Sequence, residues 1–71
     1  MSYDLKIKFD REEDGRWIAE IPELPGVMAY GENRDEAAQH VRALALRVIA
    51  DQVESQAVSA SQELLVSVAA R

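Results

Sequence analysis

The sequence predicts an α+β two-layer sandwich with the element order β-β-β-α-β. Three patterns point to it: a polar–apolar alternation at the start, one apolar stripe at helical spacing in the middle, and a β-branched run at the end. The 71 residues form a single domain, residues 1–71. A right-handed crossover places the final strand beside the first, so one long helix covers one face of a small mixed sheet.

The first two strands are predicted to form a hairpin. Residues 3–9 alternate with period two, which indicates a half-buried strand. Its apolar face carries Tyr3, Leu5, Ile7 and Phe9. Residues 10–15 are too polar to pack and end in Gly15, so they are predicted to be the hairpin loop. Residues 16–21 resume the alternation, with Trp17 facing the core and Ile18 falling on the outer face.

A double-proline turn leads into a short third strand. Pro22 and Pro25 lack the N–H that a strand ladder needs. The Pro25-Gly26 pair favours a tight turn with positive φ at Gly26. Residues 27–30 then form the strand, and Gly31 ends it.

A single long helix follows and runs from residue 34 to about residue 54. Asn33 is a favourable N-cap, Glu36 completes a capping-box-like pair, and Asp35 suits the positive end of the helix dipole. The apolar stripe comprises Ala37, Val41, Leu44, Ala45 and Val48, and Ala38, Ile49 and Val53 widen it. Residues 55–63 are small and polar, which predicts a connection, and residues 64–70 are predicted to form the last strand.

Composition excludes several classes of protein. Without cysteine the chain forms no disulfide, no thiolate metal site and no cysteine nucleophile. No run approaches the roughly 20 apolar residues of a membrane span, and the start does not resemble a signal peptide. We therefore expect a soluble, cytoplasmic protein. The net charge of −5 disfavours direct contact with nucleic acid and favours a basic protein partner.

We found no convincing catalytic or metal site and expect no enzymatic activity and no cofactor. His40 is the only histidine, and Glu36 one helical turn earlier gives it only one ligand-type neighbour. The element order is reminiscent of ribonuclease H-like nucleases. However, Asp4, Asp10 and Glu20 are not placed to converge with the helix-start carboxylates on a pair of metal ions. The three glycines are too scattered for a phosphate-binding loop.

Two acidic runs are the candidate contact surface. Residues 10–14 carry a local charge of −3, and residues 32–36 carry −2. The candidate rim consists of Asp10, Glu12, Glu13, Asp14, Glu32 and Asp35. The runs are consistent either with a solvated hairpin loop and helix cap, or with an acidic rim that meets a basic protein.

The motifs resemble one family, the HicB-like antitoxins of bacterial toxin–antitoxin pairs. They are Asp14-Gly15-Arg16-Trp17-Ile18-Ala19, then Ile21-Pro22-Glu23-Leu24-Pro25-Gly26-Val27, then Gly31 and Glu36-Ala37. That family shows an acidic-Gly-aromatic strand start, a Pro-x-Leu-Pro-Gly turn, and Gly-x-Thr-x-Glu-Glu-Ala at the helix. Asn33 stands where the family often has Thr, and both residues cap helices. The motif residues Gly15, Pro22, Pro25, Gly26, Gly31, Asn33 and Glu36 are expected to shape turns and the cap.

The resemblance implies a partial ribonuclease H-like fold without nuclease residues. It also implies a partner, a small basic toxin of HicA type that cleaves mRNA with a histidine, whose catalytic surface the antitoxin masks. Family members usually form dimers or larger assemblies. Many carry a C-terminal DNA-binding domain that would begin near Arg71, so we expect no direct DNA binding by this chain. The alternative is an orphan oligomeric protein-binding or scaffold module of the same fold with no toxin partner.

Overall fold

A computed structural model of the chain describes residues 2–55 and 63–70. The elements are β1 (Ser2–Arg11), β2 (Trp17–Glu20), β3 (Met28–Gly31), α1 (Arg34–Ser55) and β4 (Leu65–Ala70). The four strands form one mixed sheet in the order β3-β2-β1-β4, in which only β1 and β4 pair in parallel. α1 packs on one face of this sheet. The predicted α+β class, the element order and the position of the last strand beside the first are confirmed.

The core lies between α1 and the inner face of the sheet. The alternation of β1 is confirmed, because Leu5 and Ile7 are buried while Asp4 and Lys8 are exposed. Among the described residues, the buried apolar ones are Leu5, Ile7, Ala19, Ile21, Leu24, Val27, Ala37, Ala38, Val41, Ala45 and Ile49. Four of these eleven residues are alanines, which lets the helix lie close to the sheet but buries little apolar surface per residue.

The helix is rotated slightly from the predicted orientation. Its buried positions include Ala38 and Ile49, whereas Leu44 and Val48 of the predicted stripe are half-buried. Ala37, Val41 and Ala45 of the predicted stripe are buried as expected. The contact line is therefore the predicted one, shifted towards the side that Ala38 and Ile49 occupy. α1 ends at Ser55, close to the predicted end. Residues 56–62 of the predicted connection lie outside the described residues.

The hairpin is longer than the sequence predicts. Asp10 and Arg11 were predicted to lie in the loop, but they belong to β1 because they pair with Ile18 and Trp17 of β2. A strand tolerates charged residues where its edge or outer face is solvated, so polarity alone did not mark the end of β1. The loop comprises residues 12–16 and contains Gly15 at φ 93°.

The double-proline segment forms two consecutive tight turns, of which only the second, at Pro25-Gly26, was predicted. The Leu24 N–H donates to the Ile21 carbonyl at 3.0 Å, and the Val27 N–H donates to the Leu24 carbonyl at 3.1 Å. In the second turn Pro25 precedes Gly26, whose φ of 82° matches the third position of a type II turn. A further bond from the Ile21 N–H to the Val27 carbonyl, at 3.1 Å, closes the segment.

Within residues 2–55 and 63–70, no helix combines the length and the apolar character that crossing a membrane requires.

Candidate protein-binding surface

The strand register brings the two acidic runs to one end of the sheet. Arg11 pairs with Trp17, and Trp17 pairs in turn with Gly31, so β1 ends, β2 starts and β3 ends at the same end of the sheet. α1 begins three residues after β3 ends, and its start therefore lies at this end of the sheet too. We call residues 10–17 and 31–36 the acidic end. All six predicted rim residues belong to it.

Most of the chain's net charge resides at the acidic end. It holds seven carboxylates and three arginines, a net charge of −4, against −5 for the whole chain. The six rim side chains are all exposed to solvent. An exposed concentration of one charge sign attracts oppositely charged proteins and accelerates their encounter at low ionic strength.

The three arginines of the acidic end lie over aromatic rings. The Arg34 guanidinium is 4.4 Å from the centre of the Phe9 ring and 5.7 Å from that of Trp17, over which Arg11 also lies at 5.5 Å. Arg16 lies 4.7 Å from the Tyr30 ring. These cation–π contacts fix the arginines against the sheet. Trp17 faces the core as predicted: it is half-buried, packs against the buried cluster and lies beneath two guanidinium groups.

Asp14 is the rim carboxylate that forms an ion pair, with Arg16 Nε 2.8 Å from Asp14 Oδ2. The backbone N–H of Arg16 donates to Asp14 Oδ1 at 3.0 Å. That backbone hydrogen bond, together with the hydrogen bond and charge of the guanidinium, lowers the pKa of Asp14 below its ordinary value of 3.8. Asp14 therefore remains ionised over the whole range in which a protein partner binds.

The start of α1 is capped by side chains of the acidic end. Asn33 Oδ1 accepts a 2.8 Å hydrogen bond from the Glu36 N–H, which confirms Asn33 as the N-cap. Glu36 Oε1 accepts from the N–H of Glu32 at 3.2 Å, not from that of Asn33 as in a standard capping box. The two bonds hold the backbone of residues 32–36 in one arrangement, so Glu32 and Asp35 project from a fixed frame.

Gly31 is required for close packing and not for a turn. It is buried, has no positive φ, and is the last residue of β3. A Cβ at this position would collide with the backbone of Ala37 and Glu36 in the first turns of α1. The absence of a side chain at Gly31 therefore lets the start of α1 approach the end of β3 closely. This close approach also brings the two acidic runs near each other.

The residues considered for catalysis do not come together. His40 is exposed and donates from Nδ1 to the Tyr30 carbonyl at 2.9 Å, while the Glu36 carboxylate bonds elsewhere. Asp4 lies near the start of β1, and its carboxylate is 3.4 Å from Lys6 Nζ. Across the described ranges, no three side chains of His, Asp or Glu converge in a metal-binding arrangement.

An apolar groove lies at the other end of the sheet, and sequence reasoning missed it. It has a volume of about 370 Å³ and opens to solvent between the C-terminal half of α1 and β4. Its lining residues are Leu46, Ile49, Ala50, Val53, Glu54, Leu64 and Val66. No sequence pattern joins the two segments, because the groove arises only when β4 pairs with the first half of β1.

Comparisons with protein-family models, with curated proteins and with solved structures each give no match to this chain. The likeness to the HicB-like antitoxins thus rests on the motif residues themselves, and it stays a prediction.

Proposed function

We propose that this chain is an antitoxin of the HicB-like kind, which binds a small basic toxin of HicA type and masks its catalytic surface. The observation that carries the proposal is the acidic end, where two acidic runs distant in sequence meet with a net charge of −4. The motifs of residues 14–38 support the same proposal. The chain is proposed to have no catalytic activity and no cofactor of its own.

Electrostatics explains why such a surface would inhibit a toxin that cleaves mRNA. A protein that acts on RNA needs cationic side chains to hold the phosphate backbone. An exposed acidic surface meets those side chains with complementary charge and competes with the RNA for them. The helix cap fixes the backbone that carries Glu32 and Asp35, and Arg16 holds Asp14, so these carboxylates lose less conformational freedom on binding.

The proposal includes self-association and a cytoplasmic location, where mRNA is cleaved. Direct DNA binding by this chain is not part of it, because the concentrated negative charge would repel a phosphate backbone.

Co-expression tests the proposed function. Any small basic protein encoded beside this chain is expressed in a bacterial host with and without the chain, and growth and co-purification are measured. We expect growth arrest by the basic protein alone, relief by this chain, and a stable complex. If the neighbour is neither toxic nor bound, the antitoxin proposal is wrong and the orphan oligomeric module replaces it.

Charge reversal tests the surface. Glu12→Lys/Glu13→Lys alters two exposed carboxylates of the hairpin loop. The matched control, Asp4→Lys/Asp51→Lys, makes the same change in net charge at exposed positions away from the acidic end. We expect the loop variant to associate with the toxin at least about tenfold more slowly at low salt, and the control to change little. Equal slowing by both variants would leave only a net-charge effect and no role for the acidic end.

A further inference from the structure

The β4 edge is open and uncharged. Its neighbour on one side is β1, and within the described part of the chain no strand pairs with its other side. Residues 65–70 contain no charged residue, no proline and no glycine. Soluble proteins usually protect an edge strand with charged residues or proline. β4 has neither, so it retains the capacity to pair with another strand.

One side chain reaches the main chain of β4 from the helix. Arg42 Nε lies 3.4 Å from the carbonyl oxygen of Val68, a separation longer than that of a strong N–H···O hydrogen bond. Arg42 is exposed, so it can give up this contact to solvent at little cost. The bond therefore does not seal the edge.

Apolar side chains surround this edge on both faces of the sheet. Leu65 is 60% exposed and lies on the open face, while Val66 lines the groove on the helix face. Leu46 and Leu64, at 52% and 43% exposure, stand beside the same groove. Four of the six large apolar residues that the described structure exposes therefore border β4.

We infer that β4 and the adjoining groove form the contact with a second copy of this chain. The two β4 strands pair antiparallel about a twofold axis perpendicular to the sheet, with Ser67 opposite Ser67 of the second copy. This register places Leu65 opposite Ala69 and Val66 opposite Val68, and thus uses the most exposed apolar residue of the strand. Both helices then lie on one face of an eight-stranded sheet, and the two grooves open onto each other.

The charge distribution favours a second copy over a basic partner at this edge. The acidic end holds −4 of the net charge, which leaves −1 for the rest of the chain. β4 pairs with residues 2–7 of β1, the half farthest from the acidic end. β4 itself carries no charge and meets its own copy without repulsion. Glu54 is the single charged residue among those that line the groove, so this surface offers a cationic partner far less attraction than the acidic end does.

The β4 edge and the groove wall offer exposed surface for such a contact. Six of the residues 63–70 are exposed, and so are Leu46, Ala50 and Glu54 of the groove wall. A standard interface removes about 800 Å² from each partner, roughly a sixth of this chain's 4881 Å². A chain of 71 residues whose described part buries eleven apolar residues also gains stability from association.

Pairing through β4 provides the surface for the self-association that we propose above. This pairing does not involve the toxin. The two acidic ends remain at the outer ends of the dimer, so each copy keeps its own surface for a basic partner. Loss of dimerisation and loss of toxin binding are therefore separable by mutation.

Sedimentation equilibrium of the full chain, the Ser67→Lys variant and the Ser67→Glu variant tests this assignment. Like charges placed directly across the twofold axis should raise the dimer dissociation constant about fivefold in each variant. An equimolar mixture should regain wild-type affinity, because Lys and Glu then face each other. Ser67 is exposed, and circular dichroism verifies that both variants fold.

Met28→Lys is the matched control, since Met28 is exposed on β3, the other edge of the sheet. It should leave the dissociation constant unchanged. The assignment is overturned if wild type is monomeric at about 1 mM, a concentration at which a dimer with a dissociation constant of about 1 mM or less is detectable. It is likewise overturned if Met28→Lys alone dissociates the dimer, or if the mixed Ser67 variants do not recover it.

Discussion

Gly31→Ala should be strongly destabilising, although it adds only one methyl group. The new Cβ would overlap the backbone of Ala37 and Glu36, and backbone cannot rotate aside as a side chain does. Overpacking of this kind costs about 1–3 kcal/mol, and the rigid neighbours place Gly31→Ala near the upper value, about 3 kcal/mol. For a domain of this size, that cost lowers the melting temperature by about 12–24 °C.

Gly26→Ala is the matched control. It adds the same methyl group at φ 82°, where nothing lies within 4 Å of the new Cβ. Its cost is only that of a left-handed backbone, offset in part by the lower entropy of the unfolded chain, about 1 kcal/mol in total. Thermal unfolding followed by far-ultraviolet circular dichroism compares the two variants. If Gly31→Ala is no less stable than Gly26→Ala, then the close approach of β3 and α1 is wrong.

Two smaller changes test the acidic end. Asn33→Ala removes the acceptor for the Glu36 N–H and should destabilise the fold by about 1 kcal/mol in urea unfolding. Gln39→Ala, an exposed change on the same helix, should be neutral, and equal losses would contradict the cap. Because the folded pKa of Asp14 lies below 3.8, its charge stabilises the fold above that pH, and this contribution is lost as pH falls through the folded pKa. Asp14→Asn should therefore lower the melting temperature slightly near neutral pH and not in strong acid, and a deficit independent of pH would refute the assignment.

Local patterns in the sequence were sufficient to predict the elements. The alternation at Leu5 and Ile7 identified β1, and the Pro25-Gly26 pair identified a turn whose positive φ the structure contains. These features depend on neighbours within a few residues, and such signals are readable from one sequence. The end of β1 was predicted wrongly, because the inclusion of Asp10 and Arg11 depends on their pairing with β2.

Local patterns in the sequence did not predict which distant segments meet in the folded chain. That the runs around Glu13 and Glu32 share one end follows from the register through Trp17, which no spacing rule encodes. Gly31 was predicted as the end of a strand, whereas its role is to admit the helix backbone. The groove at Leu46 and Val66 likewise joins segments that only the fold brings together.

Nuclear magnetic resonance of the isotopically labelled chain, titrated with the toxin that co-expression identifies, shows which surface of the chain the partner contacts. If the acidic end binds the toxin, amide shifts change chiefly in residues 10–17 and 31–36, and the affinity falls as salt is added. Shift changes centred on β4 and the groove, with an affinity insensitive to salt, would contradict the acidic end as the binding surface.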